Sequence, residues 1–163
     1  MATANNNLSD YNKNTIPDAS LMTFGIVVSE WNENITEGLL KGAYNTLVNN
    51  GAKEQNIVVK YIPGSFELPL AAQTLLENNK TFDAIICLGS VIQGETKHFD
   101  FVCEATSQGI KDVSLKYNKP VVFGVLTDNT LQQAIDRSGG KHGNKGDEAA
   151  ITAIKMVDFQ KNV

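Results

Sequence analysis

The chain has 163 residues, a length that suits one domain with a full hydrophobic core. A formal net charge of −4 excludes the basic face that nucleic acid or anionic lipid would need as the main partner. Only Cys87 and Cys103 occur, one in an apolar run and one in a helical pattern, so a disulfide framework and a thiolate metal site are excluded and a reducing compartment is expected.

Residues 1–20 are polar and Asn-rich, and Pro17 opposes helix, so they are expected to form an extended N-terminal arm. With no hydrophobic run in that stretch, neither a signal peptide nor a membrane span is expected there, and cytoplasm is the default compartment. Such an arm either stays loose or pairs with a neighbouring chain. Residues 21–163 are expected to form the single α/β domain. Residues 23–28 are apolar enough for a strand buried on both faces. Trp31 follows in a loop, then a helix with Leu40, Ala43, Leu47 and Val48 on one face, ended by Gly51. Residues 57–61 form the second strand, cut by Pro63-Gly64, and Ser65-Phe66-Glu67 opens a helix through Leu70, Ala71, Leu75 and Leu76. The third strand, 84–88, runs into a small-residue loop and a helix from about His98 to Tyr117, with Val102, Ala105, Gly109 and Val113 on one face. The fourth strand is 120–126, and a short helix over 130–137 has Thr130 or Asn129 as its cap. A basic, glycine-rich loop over 138–146 precedes a final helix with Ala150, Ala153, Ile154 and Val157 on one face.

Strict alternation of strands and helices predicts one parallel four-stranded sheet sandwiched between helices, with ligands at the strand ends. Residues 89–96 have the spacing of a nucleotide P-loop, G-x-x-x-x-G-K-[ST], except that Glu95 stands where the lysine must be. A carboxylate there repels a polyphosphate, so a nucleotide triphosphatase is not expected. Backbone amides and the Thr96 hydroxyl can still take a single phosphate at the start of the helix.

The rim of the sheet then collects a distinct set of side chains. Trp31, the one tryptophan, offers a stacking plate for a planar ring, although a loop tryptophan is as often surface packing. Glu67 offers a carboxylate for hydroxyls or ring N–H groups, and taken alone would serve the helix dipole. Arg137, the one arginine, suits a bidentate phosphate contact, whereas a single helix-end arginine is more often a dipole partner. His98 sits where the helix end disfavours an imidazolium and a bound phosphate favours it, a balance suited to proton transfer. No nucleophile triad, metal-ligand spacing or dinucleotide fingerprint is present.

Five motifs in order and at consistent separations resemble the lumazine synthase family, over essentially residues 24–161: Trp31-Asn32, residues 63–69, residues 89–100, residues 123–127 and residues 141–146. The resemblance implies a flavodoxin-like three-layer α/β/α sandwich whose N-terminal arm adds a strand to a neighbouring subunit's sheet. It implies condensation of 5-amino-6-(D-ribitylamino)uracil with 3,4-dihydroxy-2-butanone 4-phosphate, giving 6,7-dimethyl-8-ribityllumazine, with no metal or redox cofactor. It assigns Trp31 to stacking on the pyrimidine, at a position where the family more often has Phe. Ser65, Phe66 and Glu67 fall to the ribityl chain, and Ser90, Val91 and Ile92 line the ring pocket through their main chain. Glu95, Thr96 and Arg137 fall to the phosphate and His98 to proton transfer. Phe123 is expected from the adjacent subunit, so that each site lies between chains of a homo-oligomer. The short loop over 139–146 resembles that of members forming shells of twelve pentamers. The alternative is a riboflavin or lumazine carrier, or a shell protein, on the same scaffold, and neither of these needs a phosphate clamp.

Overall fold

The computed structural model describes residues 7–79 and 81–163. Four parallel strands form the main sheet: β1 (Phe24–Ser29), β2 (Ile57–Ile62), β3 (Ala84–Ile92) and β4 (Val121–Asp128), in the order β2-β1-β3-β4. The helices α1 (Glu33–Asn49), α2 (Leu68–Asn78), α3 (His98–Tyr117), α4 (Leu131–Arg137) and α5 (Lys145–Lys161) connect and cover it. Because β1 and the early part of β3 are unbroken apolar runs, both of their faces are buried. Ile26, Val28, Ile86 and Leu88 pack with Leu39 and Ala43 of α1 and Ala153 and Ile154 of α5. On the other face Val27, Ile85 and Cys87 pack with Leu68 and Ala72 of α2 and Ile110 and Val113 of α3. This is the expected α/β/α sandwich. Cys87 is an inert part of that core, its thiol pushed up to about 12 by burial.

Several local expectations shift. β3 continues through Ile92, so Gly89 to Ile92 are strand and not loop. The cause is β4, which itself runs on to Asp128 and keeps pairing with β3 up to Ile92↔Asp128. Gly89 therefore lies inside a strand, and the P-loop spacing carries no P-loop geometry. The helix after β2 begins with a 3-10 turn, Ser65–Glu67, before α2 proper. That turn places the buried face at Leu68, Ala72 and Leu76 and leaves Leu70 67% exposed. In α3 the buried face is Thr106, Ile110 and Val113, so Ala105 is exposed instead. The glycine-rich stretch is a small antiparallel hairpin, β5 (Ser138–Gly140) with β6 (Gly143–Asn144). Gly139 and Gly143 have φ of 118° and 80°, the left-handed backbone that lets it fold back.

In the arm, residues 1–6 lie outside the described residues. The remainder forms no strand of the sheet. Ala19 and Met22 are buried against α1 and its following turn, and Leu8 donates its amide to the His142 carbonyl at 2.8 Å. Packing of the domain thus begins ahead of residue 21.

Candidate active site

The strand order reverses direction between the central strands β1 and β3, and the chain leaves both at the same, carboxyl, end of the sheet. Such a switch point opens a crevice at the carboxyl ends of the strands. A cavity of about 660 Å³ occupies it, lined by Trp31, Ser65, Phe66, Glu67, Ser90, Val91, Ile92, Thr96 and His98, all expected from the sequence.

Each of these is held by an identifiable local device. The loop after β1 is tied to the loop after β2 by Glu30 N–H to the Ile62 carbonyl at 2.8 Å and Trp31 N–H to the Pro63 carbonyl at 3.2 Å. Trp31 itself is 71% exposed at the mouth. The buried Thr106 hydroxyl of α3 donates to the Ser65 carbonyl at 3.2 Å and anchors the 3-10 turn. A Cβ on Gly89 would stand 2.4 Å from Ser65 Oγ, so a glycine in β3 is what lets Ser65 reach the cavity floor. Ser65 Oγ is buried without a protein partner, which leaves its hydroxyl free for a polar ligand. A Cβ at Gly64 would meet Glu67 Oε2 at 3.0 Å, because the carboxylate folds back over that glycine. Ser90 follows Leu88 in the alternation of β3, so its side chain goes to the α1 face and its main chain meets the cavity.

At the other end, Thr96 Oγ accepts the His98 amide at 3.3 Å. This is a short side-chain turn just ahead of α3, whose N-cap residue Lys97 makes no side-chain cap bond, and it leaves the Thr96 proton free to donate. His98, the first residue of α3, is exposed on the cavity wall. Glu95 is exposed between Gly94 and Thr96 and does not itself line the cavity.

Phe123 and Arg137 stand apart from the cavity of their own chain. Phe123 is half-buried on β4, the edge strand, against the cluster formed with α2 and α3. Arg137 ends α4, where Nη1 donates to the Gln133 carbonyl at 3.2 Å and lies 4.0 Å from Asp128 Oδ1. Lys145, at the start of α5, pairs with Glu148 Oε1 at 2.7 Å. Sequence reasoning missed the aromatic wall of Phe99 and Phe101 in the first turn of α3. Their signal was two phenylalanines following the site histidine by one and three positions. It also gave Asn32 no role of its own, although its Nδ2 donates to the Ser90 carbonyl at 3.0 Å. Among the described residues no cluster of acidic, His or Cys side chains is arranged to hold a metal ion.

The sequence model of the family described as 6,7-dimethyl-8-ribityllumazine synthase matches residues 21–161. A 6,7-dimethyl-8-ribityllumazine synthase from Parabacteroides distasonis is 59% identical over 98% of this chain and 99% of its own. The synthase from Christiangramia forsetii is 57% identical over 99% of this chain and 96% of its own. The synthase from Flavobacterium johnsoniae is 60% identical over 96% of this chain and 82% of its own.

Proposed function

The chain belongs to the 6,7-dimethyl-8-ribityllumazine synthase family, an enzyme family of riboflavin biosynthesis, and we propose that the switch-point cavity is where it joins its two substrates. These are 5-amino-6-(D-ribitylamino)uracil and 3,4-dihydroxy-2-butanone 4-phosphate. The observation that carries the assignment is the convergence of Trp31, Glu67, Thr96 and His98 on one cavity.

Trp31 stacks on the pyrimidine at the mouth, and Phe66 and Glu67 take the ribityl chain alongside Ser65. The main chain of Ser90, Val91 and Ile92 reads the ring edge. The Thr96 hydroxyl and the start of α3 take the phosphate, with Glu95 beside them. The substrate amine attacks the ketone and water leaves as the imine forms. Loss of phosphate, ring closure and dehydration complete the lumazine. No protein nucleophile is needed, because the substrate supplies its own amine. The protein contributes the juxtaposition of two reactants, stabilisation of the departing phosphate and proton transfer by His98.

The site is completed by a neighbouring copy, which supplies Phe123 and Arg137. Support comes from their position: both belong to the β4 side of the molecule and neither lines the cavity of its own chain. Phe66, Leu70, Phe101 and Leu115 are between 59% and 74% exposed, an apolar surface that a second copy would cover. The short hairpin over 139–146 favours pentamers assembled twelve to a shell. Among the described residues no helix is long and apolar enough to cross a membrane, and we place the enzyme in the cytoplasm.

Incubating the purified protein with both substrates should yield the fluorescent lumazine. Binding of a flavin-like ring without turnover would favour a carrier. Light scattering should give a shell-sized particle, and a pentamer-sized one would refute that assembly.

A further inference from the structure

Asp128 is the last residue of β4 and lies in register with Ile92, the last residue of β3 and part of the cavity wall. Its carbonyl accepts the Gln93 amide at 2.9 Å, which ties the end of β4 to the turn leading to Thr96 and His98. The carboxylate has no comparable structural use. Asp128 is 7% exposed, and its Oδ2 is buried without a hydrogen-bond donor among the described residues. A carboxylate taken from water and given no donor is costly, so it calls for a charge partner.

The charge that faces it is Arg137, with Nη1 at 4.0 Å from Oδ1. Burial pushes the Asp128 carboxyl above the usual aspartate value, and the Arg137 guanidinium offsets only part of that rise. Arg137 is held on one side by the Gln133 carbonyl at 3.2 Å, yet its side chain is 37% exposed. One edge of the guanidinium is therefore anchored while the rest of its fork stays available to an anion.

The geometry points to Asp128 as a positioning residue for Arg137: from inside the protein, the carboxylate fixes the direction in which the guanidinium fork meets the substrate's phosphate. The inference rests on the proposed contact of Arg137 with phosphate. Asp128 is too buried and of the wrong charge to touch the phosphate itself. An asparagine would preserve the backbone bond to Gln93 and remove the pull on the guanidinium.

The test measures KM for each substrate, and inhibition by inorganic phosphate, in the assembled enzyme carrying Asp128→Asn, Arg137→Ala or both. Asp128→Asn should raise KM for the butanone phosphate about fivefold, the upper end for a partly exposed ion pair. The phosphate inhibition constant should rise in parallel, and KM for the pyrimidine should not move. In the Arg137→Ala background Asp128→Asn should add nothing. An effect that persists there, or that raises both KM values alike, overturns the positioning role. So does an unchanged KM in Asp128→Asn when Arg137→Ala does raise it. If Arg137→Ala leaves the KM for the butanone phosphate unchanged, the phosphate assignment itself fails. Asp128→Ser, smaller and uncharged, is run alongside so that poor folding of one variant leaves the question decided by the other.

Discussion

Asn32 donates from Nδ2 to the Ser90 carbonyl at 3.0 Å, and does so from a left-handed backbone with φ of 61°. One short side chain thus ties the loop carrying Trp31 to the strand that floors the cavity. Asn32→Gly keeps the backbone freedom and loses the bond, which should cost about 1 kcal/mol. Asn32→Ala also adds left-handed strain and should cost about 1–2 kcal/mol more. Denaturant unfolding would compare them, and equal losses would mean that strain at residue 32 is unimportant. Emission anisotropy of Trp31, the single tryptophan, should fall in both variants as its loop loosens.

Gly89 and Ser65 are matched in shape. Gly89→Ala would drive its methyl to 2.4 Å from Ser65 Oγ and 3.1 Å from Leu68 Cδ1. Overpacking of this kind typically costs about 1–3 kcal/mol. The same change in a Ser65→Ala background removes the closest contact and should recover part of the loss, while Leu68 and the residue 65 Cβ at 3.3 Å keep recovery incomplete. Full additivity in a double-mutant cycle would argue against direct contact between the two positions.

His98 is exposed on the wall of the cavity, so removing its imidazole should leave the fold intact. His98→Ala should lower kcat by about 10²–10⁴-fold, the usual contribution of a positioned acid–base group. Particle size by light scattering should not change. Normal turnover in this variant would remove the proton-transfer role.

Asp83 links the starts of β1 and β3 to the end of α5. Burial pushes its carboxyl up, but the Thr23 amide at 2.8 Å, Lys161 at 3.1 Å and the Thr23 hydroxyl at 3.0 Å together outweigh that and hold it below the usual aspartate value. A carboxyl lowered by folding contributes stability that is full above its unfolded value and is lost as pH falls through its folded value. Asp83→Asn should therefore be less stable than the parent at pH 7, and the difference should shrink below about pH 4. A difference that is constant across this range would assign the effect to packing rather than charge.

Elements whose signals are local were legible in the residues alone. The apolar runs of β1 and β3 could only be strands buried on two faces, and α3 begins at His98 and ends at Tyr117 as its pattern predicts. Thr130 caps α4 through its hydroxyl, which accepts the Gln133 amide at 3.3 Å. The strand-end rule was enough to expect Trp31, Glu67 and His98 on one rim. The remaining features depend on partners distant in the chain. Gly89 to Ile92 have the composition of a loop, and pairing with residues 125–128 of β4 holds them extended. The 3-10 turn at Ser65–Glu67 sets which side of α2 is buried, and a hydroxyl from α3 anchors that turn. The resemblance already implied that Phe123 stands apart from the site of its own chain, but the separation of Arg137 from that cavity is visible only in three dimensions. Periodicity records which residues share a face of one element. It holds no information about which other element supplies the missing hydrogen bond or the facing charge, and that is what places the floor of this site and the partner of its arginine.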